Sequence, residues 1–600
     1  MAKRSLPAKK YPLQRTRVVL GSFSGVDLSG ERRLISARRS PRCVNLYKKY
    51  ADGFTDFLET RPGFTRFFTG NGKVYGLFFW AKGNETLALI HCGSTLYRKA
   101  LPDGAAEVAG TGLGERESLG FVFGEAFYLL DGTSYWRYDG AALSPVEPTV
   151  PVTTIGRSPG GGGTAHQGVN LLTARRINSF RGDGKSRVYA LDAPGISPEG
   201  VSATVDGEPV SAFTVDAQAG TVTFETAPAA AAGGDDNVRI TFSKGDGALS
   251  ALAGARLCCL HDNRVFLAMA GSRLIHSELM DPAYFAAESY YEDGAQDSPI
   301  TGLFSAGEAL LVLKRARRGE EALYRHAPEL DYTLGRIYPA TPCGVTVGCV
   351  APGKALCFLD DPVYLSARGL EGINALSGAA RSLGHRSTLI DPALSGETLA
   401  QADLCAWGSY LCLLAGDRLF LADGRAPFRS ETGMEYEWFV WKGLSIGGDP
   451  ARRLAVCDGE LYFITEQGKI CRFGGTSDEG AAIESVFETR SECAGDYASR
   501  KSVRKKGARA LFKMIPNSTV DISYLADGER EGAVCSFHLG GLSFSDLDFS
   551  ALSFSLHEDN TVPLPLRVKD FRALRLRFSS RRAFGLGSVC YNVERLDYTK

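Results

Sequence analysis

No Cys-x-x-Cys and no Cys/His cluster at zinc spacing occurs among the 14 cysteines of this 600-residue chain, which excludes the common zinc ribbons and fingers. Cys258, Cys259, Cys349, Cys357, Cys405, Cys412, Cys457 and Cys471 fall in or beside apolar runs, where a free thiol acts as a small core residue. Reduced thiols are therefore expected. The opening MAKRSLPAKKYPLQRTR has no apolar stretch of the kind found in secretory signals. No uninterrupted apolar run nears the ~20 residues that span a bilayer. Net charge is missing too: 68 Lys+Arg balance 68 Asp+Glu. Wholesale attraction to nucleic acid or anionic membrane is not implied, and local patches must carry any such contact.

Catalytic signatures are equally scarce. There is no HExxH and no GxSxG, and Gly160–Gly163 has no following Lys-Ser/Thr to make a phosphate-cradling loop. The eight histidines (His91, His166, His261, His276, His326, His385, His538, His557) are scattered. Asp360-Asp361 and the acids of Glu288–Asp297 are the tight acidic groups in plausible loops, and neither has a base at recognisable spacing. The Asp-box, WD40 and kelch patterns are absent. Arg181-Gly182-Asp183 matches an integrin ligand at three residues, too few to weigh. No enzyme, metal or cofactor is expected.

What the chain does have is a cadence. In Arg453–Phe473 three short β-prone runs are separated by Asp458-Gly459 and Glu466–Gly468, and an Asp-Gly pair between such runs is a strong hairpin signal. The cadence returns at Leu119–Tyr138, Ala255–Ser277, Gly302–Arg325, Val345–Ser366 and Ala402–Ala422, and more loosely at Gly72–Tyr97. One such unit cannot bury both faces of its sheet, so several must pack around a shared centre. The expected fold is all-β: a β-propeller of about seven blades, six to eight being compatible, with 69 glycines to serve its turns.

Five segments follow. Residues 1–70 read as an N-terminal arm and docking segment, basic and rich in prolines and small residues. Residues 71–168 hold the first blades and a linker, Pro145–Gly168, with no regular element. Residues 169–245 alternate strictly and read as an inserted β-sandwich. Residues 246–480 carry the remaining blades, and 481–600 read as a C-terminal antiparallel β-sandwich. Arg15, Arg17, Arg38 and Arg39 are candidate contacts to a neighbouring subunit or to DNA phosphates, the alternative being a solvated tail. Arg500, Lys501, Arg504, Lys505 and Lys506 are candidates for DNA or an acidic neighbour, the alternative being the polar lead-in of a strand. Tyr284, Phe285, Tyr290 and Tyr291 read as an interface patch, against a loop tucked back on its own blade.

Asn45, Gly53 and Arg61-Pro62-Gly63, followed at once by propeller strands, resemble the start of bacteriophage tail-nozzle and DNA-stabilisation proteins of the head–tail connector. Arg264–Asp293 and the ending from Arg567 to Leu596 are similar to further segments of that family, while the 169–245 insertion departs from its simplest members. The resemblance implies a homo-oligomeric ring, commonly six copies, below a portal or adaptor protein, with tail fibre or spike proteins attached. Packaged DNA would run down the axis in weak non-specific contact, and the protein would be a virion tail component assembled in the host cytoplasm. Two other readings remain. One is a receptor- or glycan-binding tail propeller using Tyr284, Phe285, Tyr290, Tyr291, Trp438 and Trp441. The other is a propeller glycosidase acting through Asp360 or Asp361.

Overall fold

Turn chemistry sets the architecture. A two-residue reversal between strands needs φ > 0, which Asp, Asn and Gly tolerate best. Asp458 (φ 48°) and Gly459 (φ 80°) accordingly join Asp449–Cys457 to Glu460–Thr465, and Asp262 with Asn263 joins Leu257–His261 to Arg264–Ala268. The computed structural model describes residues 14–50, 57–332, 335–374, 383–430, 433–504, 507–513, 515, 518–539 and 561–596.

Seven sheets repeat one antiparallel meander of four strands, the blades of a β-propeller. They begin at Val74, Leu119, Leu257, Ile300, Ala355, Asp403 and Asp449. The chain falls into two compact units. Gly70–Tyr364 holds the first four blades and the insertion; the described residues of Met1–Thr69, Leu365–Asn374 and Leu383–Lys600 hold the last two blades and the terminal strands. In the first unit, Phe127, Leu129 and Tyr138 of the second blade pack with Trp80, Leu87 and Leu89 of the first. Such apolar burial contributes roughly 1.5–3 kcal/mol per large side chain.

Each three-strand cadence gains a fourth strand, such as Leu143–Pro145 in the second blade. The expected unit Val345–Ser366 is displaced. Its blade runs Ala355–Phe358, Asp361–Ser366, Gly369–Ile373 and Leu383–His385. The apolar Val345–Cys349 forms no strand and is held instead by Thr301 Oγ1, which donates to the Cys349 carbonyl at 3.0 Å. All fourteen cysteines are free thiols, none of them exposed.

The insertion begins earlier than expected. Val152–Arg157 and Thr164–Ala165, within the supposed linker, are strands of a six-stranded sheet with Arg175–Phe180, Val238–Ser243, Ser202–Val205 and Glu208–Val210. Prolines and glycines obscured the β-branched run VTTI. A three-stranded sheet, Val188–Ala190, Thr221–Phe224 and Phe213–Asp216, completes the domain, and Phe180, Tyr189, Val222 and Phe242 fill its core.

The described part of residues 1–70 is no free arm. Arg15–Gly21 pairs along its whole length with Gly585–Arg595, Arg42–Val44 lies between Gly433–Lys442 and Ser485–Glu488, and Phe64–Thr69 is the fourth strand of the last blade. Residues 481–600 are likewise no separate sandwich. Leu574–Ser580, Ser518–Ala526 and Arg530–Leu539 extend the sheet that begins as the sixth blade. These pairings join opposite ends of the chain, and nothing in local sequence announces them.

The buried carboxylate of Asp131 fixes one blade turn. Oδ1 accepts from Thr133 N (2.8 Å), Thr133 Oγ1 (2.7 Å) and Ser134 N (2.7 Å); Oδ2 accepts from Gly114 N and Trp136 Nε1, both at 2.8 Å. Burial pushes its pKa up, but the donors from Gly114, Thr133 and Ser134 outweigh burial and hold it below the usual 3.8. Asp131→Ala strands those donors, at about 3 kcal/mol, and lowers the unfolding temperature at pH 7. A depressed carboxyl stabilises above its unfolded pKa and loses that contribution as pH falls through its folded pKa, so the gap between variant and wild type narrows as pH falls below 3.8. An unchanged gap there refutes the charged-acceptor account.

Candidate functional site

The residues that carry the sequence resemblance meet around one guanidinium. Asn45 sits in the left-handed region (φ 57°), where asparagine is among the best-tolerated side chains. That turn aims Oδ1 at Arg61 Nε (3.0 Å) and at the Lys442 amide (2.8 Å), while Nδ2 donates to the Glu484 carbonyl. Arg61, 2% exposed, donates through Nη1 and Nη2 to both oxygens of Asp478 (2.8 and 2.6 Å) and to the Pro62 and Lys442 carbonyls. Gly63 is required by contact: an added Cβ would stand 2.0 Å from the Ser477 carbonyl oxygen. Its amide donates to the Gly475 carbonyl and its own carbonyl accepts from Gly474. Asn45, Arg61, Pro62 and Gly63 thus form a latch that splices the N-terminal strand Phe64–Thr69 onto Lys469–Phe473. Gly53 lies outside the described residues.

Above the latch opens a cleft of about 590 Å³. Arg42, Lys442, Gly443, Gly447 and Glu484 line it, together with the Arg61–Asp478 pair. Every donor of Arg61 is already spent, so that pair offers a ligand no free cation. The partners missed by sequence reading are carboxylates: Asp478 here, Glu488 between Arg575 and Arg577 (both 2.9 Å), and Glu594 between Arg15 (2.9 Å) and Arg504 (2.5 Å). All three were ordinary acids in the sequence, marked by no motif.

The other candidates scatter. Lys501 is buried, its ammonium donating to the carbonyls of Asp496, Ser499 and Arg572, with its pKa lowered by burial; it is no DNA contact. Arg500 pairs with Asp570 (3.1 Å) and Arg39 with Asp27 (3.3 Å), the latter also lying 4.3 Å over Phe428. Arg38 and Arg17 are exposed. Lys505 and Lys506 lie outside the described residues. Phe285 is core and Tyr284 is buried with its hydroxyl on the Gly168 carbonyl, so this loop is tucked back on its own unit. Tyr291 packs against His276 and accepts from the Tyr338 amide; Tyr290 alone of the four is exposed, with Arg273 over its ring. Trp438 and Trp441 are wholly buried and unavailable to sugars. Arg181 pairs with Asp236, and Asp183 accepts from Lys185 and Ser186, so the integrin-like tripeptide is internally engaged.

One cluster has the outline of a catalytic triad. His385 Nε2 lies 3.3 Å from Ser387 Oγ and 2.7 Å from Asp391, and Nδ1 lies 3.3 Å from Glu371. Ser387 is fully buried, donates to Asp391 and accepts from the Leu370 amide. Hydrogen bonds donated to Asp391, then to Glu371, raise the His385 pKa to about 9. A protonated imidazole beside a spent, inaccessible hydroxyl is an ion-pair hub, not a base and nucleophile. Among the described residues no group of three His, Cys, Asp or Glu could hold a metal. Asp360 (φ 66°) occupies a hairpin turn with Asp361 beginning the next strand.

Two measurements test these contacts. Removing one member of a buried pair costs about 3–5 kcal/mol, whereas replacing both with apolar groups is often neutral. Arg61→Ala or Asp478→Ala should therefore lower the unfolding temperature strongly, and Arg61→Met with Asp478→Leu should restore much of it; an additive double variant contradicts the pairing. His385, whose folded pKa is raised, stabilises fully below its unfolded 6.5 and loses that contribution as pH rises through about 9. His385→Gln should be clearly less stable than wild type at pH 6 and close to it at pH 10. A gap that stays constant rules the charge out.

No protein-family model and no curated protein matches the chain. Solved structures with a likeness to it include BamB from Moraxella catarrhalis (10% identity, 72% of this chain and 97% of that one, TM-score 0.32). A second is YCF48 bound to D1 peptide (8%, 70% and 100%, TM-score 0.35). A third is Kluyveromyces lactis Hsv2 (7%, 70% and 94%, TM-score 0.31). Scores this low carry nothing about function.

Proposed function

We propose that this chain is a structural protein of a bacteriophage tail, a nozzle or head–tail connector subunit. Copies form a ring that closes the portal channel, retains packaged DNA and lets it pass on ejection. The observation that carries this reading is the latch: Asn45, Arg61, Pro62 and Gly63, four of the five residues of the resemblance, are the ones that splice the N-terminal strand into the last blade. A blade whose outer strand is supplied from the other end of the chain, and held by a buried ion pair, suits a rigid part that must withstand pressure. Portal or adaptor above, and fibre or spike proteins at the periphery, are the partners in this reading. The glycan-binding alternative loses its main anchors, because Phe285, Tyr284, Trp438 and Trp441 are buried.

Mass spectrometry of purified particles tests the proposal directly. The protein should be present in several copies per particle, and negative-stain images of the isolated protein should show rings. A monomer absent from particles overturns the reading.

A further inference from the structure

The zero net charge is a sum of opposites. Residues 1–69 carry 15 Lys/Arg against 5 Asp/Glu, and residues 481–600 carry 18 against 15, while residues 70–480 carry 35 against 48. The positive excess thus belongs to the two ends of the chain, which fold together in one unit.

Strand register gathers part of that excess on one face. In Arg15–Gly21, Ala508–Lys513 and Gly585–Arg595, alternate residues such as Val18, Leu20, Phe512, Val589 and Tyr591 are buried. The intervening residues form the outer face. Arg15 lies opposite Glu594 and Arg17 opposite Asn592, while Cys590 lies between Val19 and Arg509. Ser588 lies between Gly21 and Leu511. The central strand therefore offers the small polar side chains Ser588, Cys590 and Asn592. Arg15 and Arg17 flank it on one side, Arg504 and Arg509 on the other, in rows roughly 10 Å apart, two strand spacings. Among the described residues one carboxylate, Glu594, pairs with these guanidinia, and it is shared by Arg15 and Arg504. Arg17 reaches Cys590 Sγ at 4.0 Å, and Arg509 is exposed.

We propose that this arginine-walled trough binds the phosphodiester backbone of DNA without regard to base sequence. Guanidinium takes phosphate oxygens bidentately, and a flat floor of small side chains lets a linear backbone lie between the two rows. The geometry favours a linear polyanion; the choice of DNA rests on the virion reading above.

The test is fluorescence anisotropy of the full chain with a random-sequence 30-base-pair duplex, titrated with NaCl. The four arginines less the Glu594 that Arg15 and Arg504 share neutralise about three phosphates, which gives a log–log salt slope near −2.7, so affinity falls roughly 40-fold between 50 and 200 mM. Arg17→Ser and Arg509→Ser each reduce the slope by about one and leave the unfolding temperature unchanged. Absence of binding at 50 mM salt overturns the proposal, as does a double variant with wild-type slope and affinity. Poly-L-glutamate that displaces DNA at equal charge concentration makes the partner an acidic protein and also overturns it. Particle mass spectrometry judges the virion reading separately. DNA binding lost in the double variant, by a protein absent from particles, keeps the trough and removes that reading. Presence in particles with no trough effect does the reverse.

Discussion

The bidentate pair between Arg61 and Asp478 is the constraint on which the second unit depends. Its partners are 417 residues apart in sequence, and closing a loop of that length costs roughly 5 kcal/mol in chain entropy. The short ladder of Phe64–Thr69 against Lys469–Phe473 must offset that cost while also ordering its own backbone. A few net hydrogen bonds at about 1 kcal/mol each leave little margin. A buried pair whose rupture costs about 3–5 kcal/mol changes the balance. Asn45 extends its reach, because one side-chain oxygen binds Arg61 and the Lys442 amide together. The left-handed turn at Asn45 and the absent side chain at Gly63 are conditions for that geometry.

The same device recurs wherever distant segments meet. Glu488 draws Arg575 and Arg577 to a strand that pairs with Arg42–Val44, and Glu594 draws Arg15 and Arg504 across the strand that joins them. Each buried carboxylate binds arginines that lie far from it in the chain. Much of the basic character of the termini is therefore internal wiring, and a half-completed set would leave a charge buried without a partner. That penalty favours one arrangement of strands over the slipped registers that repetitive β-sequences otherwise permit.

What local sequence could reveal was the repeated β-hairpin plan of a propeller, because each hairpin needs only its own turn chemistry. Asp458-Gly459 and Asp262-Asn263 announce themselves without reference to anything distant. The fourth strands were less visible, since pieces of three residues such as Leu143–Pro145 carry too short a pattern. The N-terminal strand was invisible as a sheet member: Arg15–Gly21 shows its alternation only once Gly585–Arg595 is beside it. For the site, the motif residues Asn45 and Arg61 come together in the fold, but their contact depends on Asp478, an unremarkable acid in sequence. Tyr284 and Phe285 misled because an aromatic loop reads alike whether it faces solvent or folds under its own blade.

Charge runs misled in a more instructive way. Arg500–Arg509 looks like a single basic patch, yet Lys501 is spent inside on backbone carbonyls and Arg500 on Asp570, while Arg504 shares Glu594 with Arg15. Density along the chain overstated what the surface holds at that point. It also missed what register assembles, since Arg17 and Arg509 come from opposite ends of the sequence and reach one face through Asn592 and Cys590 of the strand between them. In a sheet, neighbours in space are set by pairing, and side chains two apart share a face while adjacent ones do not. A basic surface on a β-protein is therefore a property of its strand register, and counting charges in sequence windows measures something else.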